Sequence, residues 1–486
     1  MSTMSAERVR VGTRAEVERR GCTVVSAGGH TIAVFVHEGG IAAVDNRCPH
    51  MGFPLSRGTV RDGLLTCHWH HARFDLAGGG TLDPFADNVR TYPVVVDGED
   101  VWLELGAEAT GRPGGPAALG VEYWLGRLDE GLEQQLGFVL AKAVLALLGA
   151  GETPEAVLRA GGRFGLRYRG RGWGMGMTIL TAMGAALPHL APEDRPLALF
   201  HGLMRVAEDT AGQTPRFPLE PLPGGAVDLP RLKRWFRHAV EVRDTDGAER
   251  VLQTAIAQGE APDALADLLL AAATDHVYLD AGHVVDLINK ACEYLDLAGW
   301  EEARAVLPAL VDGLCRAQRA EESNAWRNPV DLVELLAPHL ARLPDLPAGD
   351  APLGEEFDAL VWTMLDGEPG AIAAAVTAAL ERGAAYAEVA LAVAHASALR
   401  VARFHTSNEF ADWDSVHNTW TSCQALYQAL RRAPSLELAR GLYHAAMRIY
   451  LDRFLNIPAA RLPDEGSRGS ALSGADGRAD QFGLRR

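Results

Sequence analysis

The sequence predicts a multidomain β plus all-α protein: a small antiparallel β domain, then a large α-helical domain of three divergent helical repeats. Three observations carry this. Strand-like runs separated by tight turns fill residues 8–106. A Gly/Pro-rich stretch, AEATGRPGGPAALG at 107–120, reads as a linker. From 121 to 460 the texture changes to Ala- and Leu-rich segments with helical spacing.

The elements follow in order. HTIAVFVHEGGIAAVD holds two short strands around Glu38-Gly39-Gly40, and VRTYPVVVDGEDVWLEL is a hairpin turning at Asp97-Gly98. In the helical part GETPEAVLRA (151–160) matches GEAPDALADL (259–268) and, more loosely, GAAYAEVALA (383–392). In the first two, Pro followed by an acid marks a helix start, because Pro suits the first turn and the acid favours the positive end of the dipole. GLMR (202–205), GLCR (313–316) and GLYH (441–444) recur downstream, each followed by a proline: Pro218, Pro329 and Pro458. Ordered recurrence of three markers predicts three stacked helical units. Residues 461–486 are poor in core-forming side chains, which predicts a disordered tail.

Bulk properties exclude several classes. A chain of 486 residues exceeds what one hydrophobic core serves, and 48% hydrophobic with 22% charged residues is ordinary for a soluble protein. A formal net charge of −17 without a basic stripe argues against nucleic acid and anionic membrane as partners. The start, MSTMSAERVR, lacks the apolar core of a signal peptide. The longest greasy run, 136–151, is too short to span a bilayer and carries Lys142 in its middle. Six cysteines make no disulfide framework. A cytoplasmic protein is the expectation. Basic residues are almost all Arg; only Lys142, Lys233 and Lys290 are lysine, so a retained lysine carries some information.

The chemistry concentrates in CPHMGFPLSRGTVRDGLLTCHWHH, residues 48–71. Cys48 and His50 form C-x-H, and Cys67 and His70 form C-x-x-H. This pattern resembles the Rieske family, over roughly residues 8–106 and with Gly52 and FDLAGG (74–79) matching beyond the four residues. A Cys2His2 zinc site is the alternative, but it usually has other spacing and lacks this β context. The resemblance implies a [2Fe–2S] cluster, with Cys48 and Cys67 on one iron and His50 and His70 on the other. Imidazoles in place of two thiolates lower the negative charge and raise the potential to roughly −150 to +300 mV. Where respiratory-chain relatives carry an extra cysteine in each loop, this chain has Phe53 and Trp69, which places it nearer the ferredoxin and oxygenase branch. His71 stands where glycine is common; His68 and His71 are read as non-ligands.

The helical region lacks the H-x4-H pair that ring-hydroxylating oxygenases use for mononuclear iron, but it has its own histidines. His276, His283 and Lys290 recur every seven residues, which would line one helix face with Asp286 on the same side, unless Gly282 bends the helix. His405 ends a helix, and His417 falls in the first turn of the next if Asp414 or Ser415 caps it. Four imidazoles with a carboxylate or a carbamylated Lys290 suit a non-haem iron with an open position. In texture and histidine placement the region resembles the questin-oxidase-like family, which implies oxidation of polycyclic aromatics. Set against this, a histidine in an Ala/Leu helix is usually a hydrogen-bonded core residue or a helix-end cation.

Two functions follow. In the first, the chain is an oxidoreductase whose cluster feeds a metal site at His276, His283, His405 and His417, acting with oxygen on a small organic, aromatic substrate. In the second, a Rieske electron-transfer or redox-sensing module is fused to a helical partner-binding scaffold. No flavin or nicotinamide motif is visible, so either needs a separate reductase. The resemblance also makes a homo-oligomer an expectation.

Overall fold

The computed structural model describes residues 7–105 and 120–460, except for 278, 323–329, 348 and 458. The expected linker (all but Gly120), the expected disordered tail, and the marker prolines Pro329 and Pro458 lie outside these.

The β domain is three small antiparallel sheets. One contains β1 (Glu7–Thr13), β10 (Asp100–Leu105) and β9 (Val94–Asp97), in that order. A second orders β2 (Cys22–Ala27), β3 (His30–His37), β4 (Gly40–Asp45) and β8 (Thr91–Tyr92). The third orders β5 (Thr59–Arg61), β6 (Leu64–Thr66) and β7 (Arg73–Asp75). A short helix, α1 (Arg14–Arg20), interrupts the β structure. Its signal was present in the sequence as the Thr13–Glu16 capping box, with each side chain receiving the other's backbone N–H.

Strand β3 explains how so small a domain holds together. Successive side chains point to opposite faces, and here both faces are buried. Ile32 and Val34 join Val17, Val101 and Leu103 in one apolar cluster. Ala33 and Phe35 join Leu55, Leu65, Phe74, Cys48 and Cys67 in the other. The second cluster is the floor of the site described below.

The chain divides into two compact units. The first joins the β domain to α2 (Val121–Glu133), α3 (Gly137–Gly149), α4 (Pro154–Arg167), α5 (Met175–Ala186) and α6 (Arg195–Thr210). The second comprises residues 171–173 and the chain from 216 onward. It contains α7 (Leu229–Glu241), α8 (Thr245–Ala257), α9 (Pro262–Ala273), α10 (His283–Ala298), α11 (Ala303–Val306) and α12 (Pro308–Arg316). Then come α13 (Leu332–Arg342), α14 (Glu356–Asp366), α15 (Pro369–Glu381), α16 (Tyr386–Ala402), α17 (Phe410–Arg432) and α18 (Leu436–Asp452). The glycine markers precede α4, α9 and α16, and the GLMR, GLCR and GLYH segments lie in α6, α12 and α18, with one intervening α-helix in the first and last cases and two in the middle one. Helix α4 starts as its sequence implies, with Thr153 accepting from Ala156 N and Pro154 in the first turn. Among the described residues, no helix is long and apolar enough to cross a membrane.

In the first unit, α5 and α6 pack backbone against backbone. A Cβ on Gly202 would lie 2.8 Å from the Leu180 Cα, and one on Gly176 would lie 2.5 Å from the Arg205 carbonyl oxygen. Gly202→Val is therefore expected to force these helices apart and destabilise the protein by ~1–3 kcal/mol. A lowered thermal midpoint with unchanged far-UV circular dichroism at low temperature checks this.

Candidate metal centre

Two matching turns set the cysteines. In the first, Cys48 N donates to Phe53 O (2.8 Å) and Gly52 N donates to Cys48 O (2.7 Å). In the second, between β6 and β7, Cys67 N donates to Ala72 O (2.8 Å) and His71 N donates to Cys67 O (3.0 Å). The residue four after each cysteine is left-handed: φ is 85° at Gly52 and 61° at His71. Glycine takes this conformation freely, whereas a side chain there costs ~1–2 kcal/mol. That is why the histidine at position 71 is unusual. The FDLAGG segment closes the second turn. Asp75 accepts from Ala77 N (3.0 Å) and Gly78 N (2.8 Å), and a Cβ on Gly79 would lie 2.1 Å from Val89 O.

The donor set is pairwise. Both thiols are buried in the same apolar cluster. Burial pushes the Cys48 thiol up to about 11; the His50 backbone N–H opposes this, and the adjoining Cys67 adds to it. Such a thiol keeps its proton unless a cation replaces it. Beside them the His50 and His70 rings lie 4.7 Å apart at 79°. Among the described residues, His50 Nδ1 is buried with no hydrogen-bond partner. Burial, then the neighbouring His70 and Lys142, hold the His50 imidazole below its ordinary value, leaving a neutral ring with a lone pair. Two buried thiols and two close imidazoles, one with an orphaned nitrogen, fit a [2Fe–2S] cluster. Cys48 and Cys67 would hold one iron, and His50 and His70 the other. His68 and His71 stand outside this set: both are exposed, and His68 Nε2 lies 3.3 Å from Thr59 Oγ1.

The helices of the first unit reach the site. Lys142 of α3 donates from Nζ to Pro49 O (2.6 Å), inside the first turn, and to Asp87 Oδ2 (2.7 Å). Arg127 of α2 places Nε 3.2 Å from Asp87 Oδ1, pairs with Glu130, and donates to Pro84 O (2.8 Å). Phe138, four residues before Lys142 and hence on the same helix face, approaches His50 at 5.8 Å, while Phe85 approaches it at 5.0 Å. His50 is thus half-covered. His70 is exposed, with Trp69 at 4.6 Å and half-exposed beside it. Asp87, Arg127, Phe85 and Phe138 were not singled out from the sequence. The one signal was Lys142, a rare lysine inside an apolar run.

The second site expected from the sequence is not assembled. Among the described residues, no group of three or more His, Cys, Asp or Glu side chains is placed to hold a metal ion; the cluster set is two pairs, as a two-iron centre requires. His276 lies outside α10, which begins at His283. Between them Asp280 (φ 49°), Ala281 (φ 56°) and Gly282 (φ 97°) are left-handed, so no common helix aligns His276 with His283 and Lys290. His276 instead bonds Glu241 (2.7 Å), and Lys290 bonds Glu293 (2.6 Å). His405 lies in the loop after α16 with Nδ1 2.7 Å from Ser407 Oγ. Helix α17 starts at Phe410, because Glu409 and Asp412 form the capping box; His417 therefore sits deep in the helix, its ring 5.5 Å from that of Trp413. Asp286, mostly buried, has its carboxyl pushed up by that burial.

Fold and donor set define an iron–sulfur electron-transfer domain, and relatives agree. The signature of the Rieske [2Fe–2S] domain matches residues 7–93. The ferredoxin component of a naphthalene 1,2-dioxygenase system from Pseudomonas aeruginosa is 35% identical over 82 residues, which is 17% of this chain and 79% of that protein. A 4beta-methylsterol monooxygenase from Methylococcus capsulatus is 36% identical over 112 residues, covering 20% of this chain and 30% of that protein. Among solved structures, the ferredoxin of carbazole 1,9a-dioxygenase from Nocardioides aromaticivorans is 27% identical, covering 21% of this chain and 99% of its own, with a TM-score of 0.20. The chain belongs to the Rieske [2Fe–2S] family.

Replacing His50 or His70 with Ala is expected to abolish the visible spectrum and the acid-labile sulfide. His68→Ala and His71→Gly are expected to keep two irons and two sulfides per chain, and His71→Gly to raise stability by up to about 1 kcal/mol. Iron, sulfide and melting assays decide. Lys142→Met removes a cation close to the imidazole side, so the potential is expected to fall on the order of tens of mV; a redox titration followed by electron paramagnetic resonance reads it, with Lys142→Arg as the charge-keeping control.

Proposed function

We propose that this chain is a Rieske electron carrier whose first helices hold the cluster turn, loaded by a separate reductase and discharged through the exposed His70 side. One observation carries this reading. Of the paired imidazoles, His50 is half-buried beneath Phe138 and Lys142 of α3, whereas His70 is exposed beside Trp69. Electron transfer needs close approach, and the open imidazole is where a partner comes nearest. That the matched relatives include ferredoxin components of dioxygenase systems supports a reductase on one side and a terminal acceptor on the other.

A second reading gives the helical region an oxidative reaction of its own on an organic substrate, with electrons from the cluster. What favours it is the methylsterol monooxygenase, in which the matching segment is likewise a minor part of a longer chain. Iron and sulfide counts separate the two. Two irons to two sulfides fits the carrier, and a third iron lost with the helical histidines fits the oxidase. Under the carrier reading, Trp69→Ala is expected to slow reduction of an added one-electron acceptor such as cytochrome c several-fold without moving the potential. Phe138→Ala is expected to leave that rate within about twofold. Stopped-flow mixing of the reduced protein measures both, and an effect confined to Phe138 would overturn the assigned exit.

A further inference from the structure

The second unit contains a cleft of about 530 Å³, within the range of small-molecule sites. One wall is aliphatic, built from Val333, Leu336, Ala337, Leu340 and Leu343 of the α13 segment with Leu436 of α18. The lining also includes the charged residues Arg237, Asp275, Glu437 and Arg440. Thr274 and the buried His444 line both this cleft and a smaller one of about 50 Å³, whose wall includes the left-handed Ala281-Gly282 turn. Gly282 is pressed against α17: a Cβ there would lie 2.7 Å from Ser422 Cβ. Backbone held in sparsely populated conformations beside a cavity points to a functional site.

The donors of these charged residues show what the cleft suits. Arg237 grips the Asp275 carboxylate through Nε and Nη2, the side-on fork of the guanidinium. Arg440 gives the same carboxylate only Nη1, at 2.7 Å. Its own Nε and Nη2, the same fork, make no hydrogen bond within the described residues. Glu437 is engaged elsewhere, 3.2 Å from Lys233 Nζ. A planar pair of N–H donors matches a carboxylate. Lys233, Arg237 and Arg440 are balanced by Asp267, Asp275 and Glu437. The preference therefore rests on the unspent fork rather than on net charge.

We propose that this cleft binds a small, mainly apolar organic acid, its carboxylate on Arg440 and its hydrocarbon body against Leu336, Leu340 and Leu436. The site stands whether or not the helical region oxidises anything. The test is calorimetric titration of the full, cluster-loaded chain with 2-naphthoate and with its neutral counterpart 2-naphthalenemethanol. The expected result is one saturable site per chain, with the acid bound about tenfold more tightly. Arg440→Gln should erase that preference while leaving the alcohol's affinity in place. Ala337→Trp should fill the cleft and weaken both compounds by about tenfold or more. Should the tryptophan variant fail to fold, Leu340→Phe narrows the same wall and is expected to weaken both in the same direction. The proposal is overturned if neither compound binds the wild-type chain, if acid and alcohol bind equally, or if a folded cleft-filling variant binds as well as the wild type.

Discussion

Two thiolates and two imidazoles have to converge on one point, and this requirement shapes the N-terminal domain. A single segment cannot supply all four at the right angles, so two turns with the same hydrogen-bond pattern, Cys48–Phe53 and Cys67–Ala72, each present one cysteine and one histidine. Strands of three residues, β5 to β7, are too short to be stable alone. They persist because Leu65 and Phe74 reach into the apolar cluster that also holds both sulfurs and one face of β3. Burial then does two jobs. It holds the turns, and it makes the Cys48 thiol costly to ionise without a metal.

The contact between Asp87 and the helices extends that constraint beyond the β domain. Asp87 receives Lys142 and Arg127, and both cations also bond carbonyls of the cluster-bearing segments, at Pro49 and Pro84. Charged groups this sheltered repay their desolvation best when hydrogen bonds are many; backbone carbonyls take further donors of Lys142 and Arg127, while Arg127 Nε and Asp87 Oδ1 meet as an ion pair at 3.2 Å without a hydrogen bond. The same helix that fixes the first turn shades His50, which makes the two imidazoles inequivalent. In this chain α2 and α3 form part of the surface around the first cysteine turn.

Much of the cluster site was legible because metal ligation imposes residue types at short, fixed separations. Cys48, His50, Cys67 and His70 announce themselves within 23 residues of sequence. Hairpins at Glu38-Gly39-Gly40 and Asp97-Gly98 were legible for the same local reason, and so was the start of α4 at Thr153-Pro154. Partners distant in sequence were not. Arg127 and Asp87 look like any solvated charges until the fold brings α2 to the 84–87 segment. Lys142 stood out only against a background of arginine. Nothing in the sequence states that Pro49 O is its acceptor.

The helical histidines fail for a reason that concerns periodicity itself. A seven-residue spacing places side chains on one face only if every intervening residue is helical, and the 276–290 segment breaks at Asp280 and Ala281. Ala281 carries no sequence mark of a left-handed conformation; Asp280 tolerates it and Gly282 takes it freely, but a single aspartate or glycine in a helical pattern is ordinary. The turn exists because the backbone is held from outside, by Asp280 N on Gln318 O (2.9 Å) and by the closeness of Gly282 to Ser422. Strain imposed by distant contacts leaves little local signature, so Gly282 hinted at a bend but nothing in the sequence showed that a left-handed turn would separate the histidines. Of the four histidines, His276 alone lines the small cleft beside this turn.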